Sequence, residues 1–140
     1  MDLNDAIRFA VEAHKGQLDL NDEPIILHVL RVMLAVPKNL RIPAVLHDVV
    51  EDTPYTLYQL ESRGVSDQDL LIVDAVTRHK EERYWDYIRR LEKSLDAIPL
   101  KIADIRDNMR PDRAHPRSPT SRYIKALAIL ERHVGSVVTR

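Results

Sequence analysis

Apolar residues recur along this chain at three- and four-residue intervals, the spacing that lines one face of an α-helix. Leu3, Ile7, Ala10, Val11 and His14 form the first such stripe. Gly16 is placed to end the helix that carries it, because glycine takes the left-handed backbone of a helix terminus without strain. Residues 17–24 are polar and read as a loop. A second helix is expected over 25–36, offering Leu27, Leu30, Val32 and Leu34 to the core, with Pro37 closing it. Pro43 suits the first turn of a third helix, which is expected to run to Thr53-Pro54.

Thr56-x-x-Gln59 and Ser66-x-x-Asp69 are capping-box-like starts. They open a short helix ending near Gly64 and an apolar one through Leu70, Leu71, Val73, Ala75 and Val76. A charged connection over 79–82 precedes a helix through Trp85, Ile88 and Leu91. Ser94 is expected to cap the next helix, which holds Leu100, Ile102, Ala103, Asp104, Asn108 and Met109 and stops at Pro111. The proline- and arginine-rich stretch 111–119 is too short to link two domains, and a last helix from about Ser121 carries Ile124, Leu127, Ile129 and Leu130. No repeat, low-complexity tract or strand pattern interrupts this series. The expectation is an all-α, single-domain helical bundle over residues 1–140.

The totals narrow the function classes. With 140 residues, 44% hydrophobic and 31% charged, the chain has material for one core. Three glycines against eight prolines disfavour tight-turned β architectures. The absence of cysteine excludes disulfides and thiolate metal sites. No apolar run is long enough for a membrane span, and no signal pattern opens the chain, so the expected setting is cytoplasmic with no membrane partner. A net charge of −1 argues against a nucleic acid partner gripped over the whole surface. Oligomeric state is left open.

Candidate chemistry concentrates in Leu46-His47-Asp48-Val49-Val50-Glu51-Asp52-Thr53. On a helix, Glu51 lies one turn beyond His47, and Asp52 one turn beyond Asp48. Three carboxylates near a helix C-terminus oppose the macrodipole, each at a cost of roughly 0.3–1 kcal/mol. A bound cation reverses that sign. His28 and Asp104, each in an apolar helical context, are the candidates to complete the wall. Two imidazoles with two carboxylates suit Mn²⁺, Fe²⁺ or Zn²⁺ better than Ca²⁺. Taken singly, each residue has an ordinary explanation: His28 as a core histidine, His47-Asp48 as a chance dipeptide, Asp104 as a partner of Arg106 or Arg110. Their joint occurrence with Glu51, Asp52 and Asn108 favours a site.

The order Ala13-His14-x-Gly16-Gln17, Glu23-Pro24-x-Ile26-x-His28, Ala44-x-Leu46-His47-Asp48-Val49-Val50-Glu51-Asp52-Thr53 and Lys101-Ile102-Ala103-Asp104-x-x-x-Asn108-Met109-Arg110 resembles the HD-domain hydrolases. Within them it is most similar to the hydrolase domain of RelA/SpoT proteins and their small stand-alone relatives. The resemblance implies that His28, His47, Asp48 and Asp104 bind one Mn²⁺, that Glu51 and Asp52 are catalytic acids, and that Asn108 contacts the sugar of a nucleotide. Arg78 and Lys101 are candidate phosphate partners. The implied reaction removes the 3′-pyrophosphate from guanosine tetra- or pentaphosphate. The chain departs from the family at Leu18-Asp19-Leu20, where relatives carry bases, at Asp22-Glu23-Pro24-Ile25, at Val29 and at Pro111. Two alternatives stay open: an HD phosphohydrolase for another nucleotide or phosphomonoester, and a metal-dependent nucleotide-binding module without turnover.

The remaining candidates have structural expectations. His14 and Gln17 are expected to tie helix ends together, and Trp85 to pack in the core. Tyr55, Tyr58 and Tyr84 are candidates to line a pocket, and the arginines from Arg106 to Arg122 to form a basic rim.

Overall fold

Caps and prolines set the helix boundaries in the computed structural model, which describes residues 1–113 and 120–138, with side chains through Val134. The rest of the arginine-rich stretch, Arg117 included, lies outside the described residues. Helix α1 (Leu3–Ala13) starts where the Asp2 carboxylate accepts from the Asp5 N–H at 2.8 Å. It ends at His14, and Gly16 follows with φ of 81°. Helix α2 (Ile25–Ala35) stops before Pro37. Between them, residues 17–24 close on themselves: the Asp19 carboxylate accepts from the N–H groups of Asn21 (2.8 Å) and Glu23 (3.0 Å).

The expected third helix is divided. Helix α3 (Arg41–Leu46) and helix α4 (Val49–Asp52) are separated by a turn at His47-Asp48. The cause is local. The His47 ring donates through Nδ1 to the Ala44 carbonyl at 2.5 Å, taking the acceptor that a continuous helix offers to residue 48. Asp48 therefore stands at the start of α4, and Glu51 and Asp52 lie in its first turn. The conflict with a long helix's macrodipole is correspondingly weaker than the sequence pattern implied.

Helix α5 (Leu57–Ser62) opens on a complete Thr56–Gln59 capping box, and helix α6 (Asp67–Val76) on Ser66, whose hydroxyl accepts from the Asp69 N–H at 3.2 Å. Helix α7 (Tyr84–Glu92) is followed by a 3₁₀ turn over Leu95–Ala97, then by helix α8 (Ile98–Asn108). Ser94 precedes the 3₁₀ turn and makes no side-chain cap, so Pro99, in the first turn of α8, marks that start instead. Helix α9 (Thr120–Val138) completes the order. The described residues contain no strand, only an isolated bridge between Leu18 and Pro24.

The core lies around α3, which packs on α1, α2 and α6, while α8 packs on α2 and α9. Leu46, Leu60, Ile88, Leu91, Ile98, Leu100, Ile105 and Leu130 are fully buried. Each such aliphatic side chain contributes roughly 1.5–3 kcal/mol by leaving water. Several expected core positions are exposed instead, namely Val11, Leu27, Leu34, Leu71 and Ile124. In α2 the inward stripe is His28, Val29, Val32 and Met33. The helix is apolar nearly all round, so spacing alone did not fix which face turns inward.

Candidate metal centre

Three separate segments deliver the four expected ligands to one point. His28 comes from the middle of α2, His47 and Asp48 from the turn after α3, and Asp104 from α8. One donor atom from each lies within 4.8 Å of the others. The His28 Nε2 atom faces Asp104 Oδ1 at 3.0 Å and Asp48 Oδ2 at 3.4 Å. The His47 Nε2 atom faces the same two oxygens, at 3.1 and 3.2 Å.

The opposite nitrogens explain why both rings point this way. His28 Nδ1 donates to Asp107 Oδ2 at 2.6 Å, and His47 Nδ1 donates to the Ala44 carbonyl. With Nδ1 carrying the proton, each neutral ring turns an Nε2 lone pair toward carboxylate oxygens. A buried lone pair facing an anion is unfavourable unless a proton or cation lies between them. Without an ion, protons fill the role. Burial opposes the charge on His28, but hydrogen bonds with Asp104, Asp107 and Asp48 overcome it and raise the group to about 10. Burial likewise opposes charge on His47, and the Asp48 and Asp104 carboxylates lift it well above the ordinary histidine value. Asp48 and Asp104 are held well below the carboxylate range against their burial, Asp48 by both imidazoles and Asp104 by Lys101 as well. Two nitrogens and two anionic oxygens that attract positive charge so strongly fit a divalent transition ion.

A second acidic group adjoins the first. Asp48, Glu51 and Asp52 also bring oxygens within 4.8 Å of one another. Burial, then the charges of Asp48 and Glu51, push Asp52 up to about 7. Burial also raises Glu51, against the pull of Lys101, and its Oε1 accepts from the Arg78 N–H at 3.0 Å. The Asp52 carbonyl accepts from Gln17 Nε2 at 2.9 Å, and Gln17 Oε1 accepts from His14 Nδ1 at 2.8 Å. His14 and Gln17 thus tie the end of α1 to the acidic turn.

Both groups border a cavity of about 330 Å³, which Arg78, Lys101 and Asn108 also line. The Lys101 ammonium lies 2.9 Å from Asp104 Oδ2 and 5.1 Å from the Tyr87 ring centre, so its first partner is the carboxylate of a candidate ligand. The Asn108 side-chain oxygen Oδ1 accepts from Arg113 at 3.0 Å. Tyr84 lines the cavity with the Arg78 guanidinium 5.7 Å and the Arg122 guanidinium 4.2 Å from its ring centre. Tyr55 instead packs edge-on against Phe9 at 4.8 Å, Tyr58 is exposed, and Trp85 is partly buried against the core. Of the expected rim, Arg113 and Arg122 line the cavity, whereas Arg106 pairs with Glu131 and Arg110 with Asp112. A larger cavity, about 670 Å³, lies on a neighbouring face of α8 between Arg31, Leu34, Arg106 and Glu131 and away from the clustered acids. Sequence reasoning missed Asp107, Arg31, Tyr87 and Tyr123. Only Asp107 left a trace, as an acid one turn beyond Asp104.

No protein-family model matches the chain. Over 116 residues it is 32% identical to a guanosine-3′,5′-bis(diphosphate) 3′-pyrophosphohydrolase of Haemophilus influenzae, a match covering 72% of this chain and 17% of that protein. Over 123 residues it is 32% identical to the bifunctional (p)ppGpp synthase/hydrolase SpoT of Escherichia coli, covering 77% of this chain and 18% of that one. The chain therefore spans less than a fifth of the length of these curated relatives. A solved structure described as a metazoan ortholog of SpoT that hydrolyses ppGpp superposes with a TM-score of 0.69 at 23% identity, covering 95% of this chain and 83% of that one. At that identity the match speaks for the fold.

Proposed function

The chain is a relative of the RelA/SpoT-type (p)ppGpp proteins, and on that premise we propose that residues 1–140 are one HD-type domain acting as a metal-dependent guanosine-3′,5′-bis(diphosphate) 3′-pyrophosphohydrolase. The reading rests on one observation: donors from α2, the 47–48 turn and α8 gather within 4.8 Å, with both imidazoles tied at Nδ1. In this reading His28, His47, Asp48 and Asp104 hold one divalent ion, a set that suits Mn²⁺, Fe²⁺ or Zn²⁺; Mn²⁺ is the choice that the family resemblance implies. Such an ion supplies Lewis acidity that makes water nucleophilic near neutral pH and neutralises phosphate oxygens.

The remaining residues divide the other tasks. Glu51 and Asp52 accept the proton released when water attacks phosphorus. Arg78 and Arg122, both close to the Tyr84 ring, meet the charge of the departing pyrophosphate. Lys101 holds Asp104 in place and adds positive charge to the cavity floor. Asn108, oriented by Arg113, meets the ribose. The proposed setting is the cytoplasm. No described helix is long and apolar enough to cross a membrane.

One feature favours a second reading, an HD phosphohydrolase for a different nucleotide or phosphomonoester. The loop after Gly16-Gln17 carries Asp19, which faces Arg113 at 3.6 Å, where the resembled family carries bases. Incubating Mn²⁺-loaded protein with a nucleotide panel separates the readings. Pyrophosphate with GDP or GTP, halted by chelator and restored by Mn²⁺, is expected; release of inorganic phosphate selects the second reading. Tight nucleotide binding without any product at saturating Mn²⁺ selects a binding module.

A further inference from the structure

The two ligand histidines are braced differently. His47 leans on a neutral backbone carbonyl, whereas His28 leans on a carboxylate, Asp107, that is itself held from behind. The Arg31 guanidinium spans that carboxylate, with Nε 2.7 Å from Oδ1 and its terminal nitrogen 3.1 Å from Oδ2. Arg113 Nε stands 3.6 Å from Oδ2. Asp107 is buried, and the fork fixes its plane, so Oδ2 has one direction left in which to receive the His28 Nδ1 proton.

We propose that Asp107, clamped by Arg31, is a positioning residue that sets the Nδ1–H tautomer and ring orientation of His28 and so presents Nε2 to a divalent ion. This rests on the reading of His28, His47, Asp48 and Asp104 as ligands. Three observations carry it. Asp107 is the group that bonds His28 on the side away from the cluster. Both of its oxygens are occupied by donors, so it leaves the imidazole no alternative tautomer. It lies one turn after Asp104 on α8, so the helix that supplies one ligand also supplies the brace for another. A carboxylate behind a ligating imidazole also makes that imidazole a stronger donor. Arg31 limits that gain by neutralising the acid, which assigns Asp107 to orientation first and basicity second.

Mn²⁺ affinity, measured by calorimetry on full-length protein, tests the proposal without reference to turnover. Asp107→Ala and the near-isosteric Asp107→Asn are both expected to weaken Mn²⁺ binding by about 10- to 100-fold. The asparagine fails because either orientation of its amide sets an N–H group against His28 Nδ1–H or the Arg31 fork. Arg31→Met, at a position one-third exposed, should weaken it by a smaller factor and guards against misfolding of the buried variants. In a His28→Ala background, Asp107→Ala should cost no further affinity, because the brace has nothing left to orient. Folded Asp107 variants that bind Mn²⁺ within about threefold of the parent overturn the proposal, as does an equal loss in the His28→Ala background. A parent protein that takes up no Mn²⁺ at all refutes the ligand reading itself, a result separable from failure of the brace alone.

Discussion

At the residue scale, the site is governed by who holds the protons on His28 and His47. His28 stands at about 10 in the ion-free protein, above its ordinary 6.5, so at pH 7 it is charged and an arriving ion must displace a proton. Apparent Mn²⁺ affinity should therefore rise with pH through neutrality toward 10, with proton release visible as buffer-dependent heats in calorimetry. The sign for stability is opposite. A histidine raised on folding contributes stability that is present below 6.5 and lost as pH rises through about 10. Melting of the ion-free protein should accordingly fall across that window, and saturating Mn²⁺ should restore it. Asp48→Ala is expected to abolish metal retention, measured by elemental analysis after gel filtration. Glu51→Gln should retain metal yet lose turnover by about 10²-fold or more, in product assays. The proposed ligands were legible in the sequence through their joint occurrence, since imidazoles and acids inside apolar helical stretches require partners. Asp107 was not, since its partner His28 is 79 residues away and the pattern along one helix is silent about what faces it.

At the element scale, the sequence pattern located the described helices, α3 and α4 read as one, more accurately than it oriented them. Caps and prolines act locally, so Thr56, Ser66 and Gly16 were readable where they stand. The break at His47-Asp48 was not readable, because a side chain rather than a breaker residue makes it. The connection 77–83 shows the same dependence on one side chain. Arg90 reaches back from α7 to the carbonyls of Asp74 (3.2 Å) and Thr77 (2.7 Å) and to Glu82 Oε2 (2.9 Å). The connection carries Arg78 to the cavity. Arg90→Ala should cost about 2 kcal/mol in urea unfolding at pH 7, since part-buried carbonyls lose a charged donor. Its Glu82 share has a definite pH sign. That carboxyl is drawn down to about 2 by the Arg90 hydrogen bonds, so its contribution is present above 4.5 and lost as pH falls toward 2. The penalty of Arg90→Ala should therefore shrink in acid.

At the scale of the whole molecule, an all-α bundle was legible from periodicity and composition, but the placement of α8 between α2 and α9 was not. That placement depends on which apolar face each helix buries, and in α2 the choice passed over Leu27 and Leu34 in favour of His28 and Met33. Ion removal should then act on the entire bundle. At free Mn²⁺ about 100 times its dissociation constant, binding adds about 2.7 kcal/mol, so chelation should lower the melting temperature by several degrees. The distance along the chain between the donors has a further, kinetic consequence. His28 and Asp104 are separated by 76 residues, so the nest for the ion exists only after more than half of the chain has condensed. Stopped-flow measurements should find refolding rates indifferent to Mn²⁺ and unfolding rates slowed by it, the signature of a clasp fastened last and opened first.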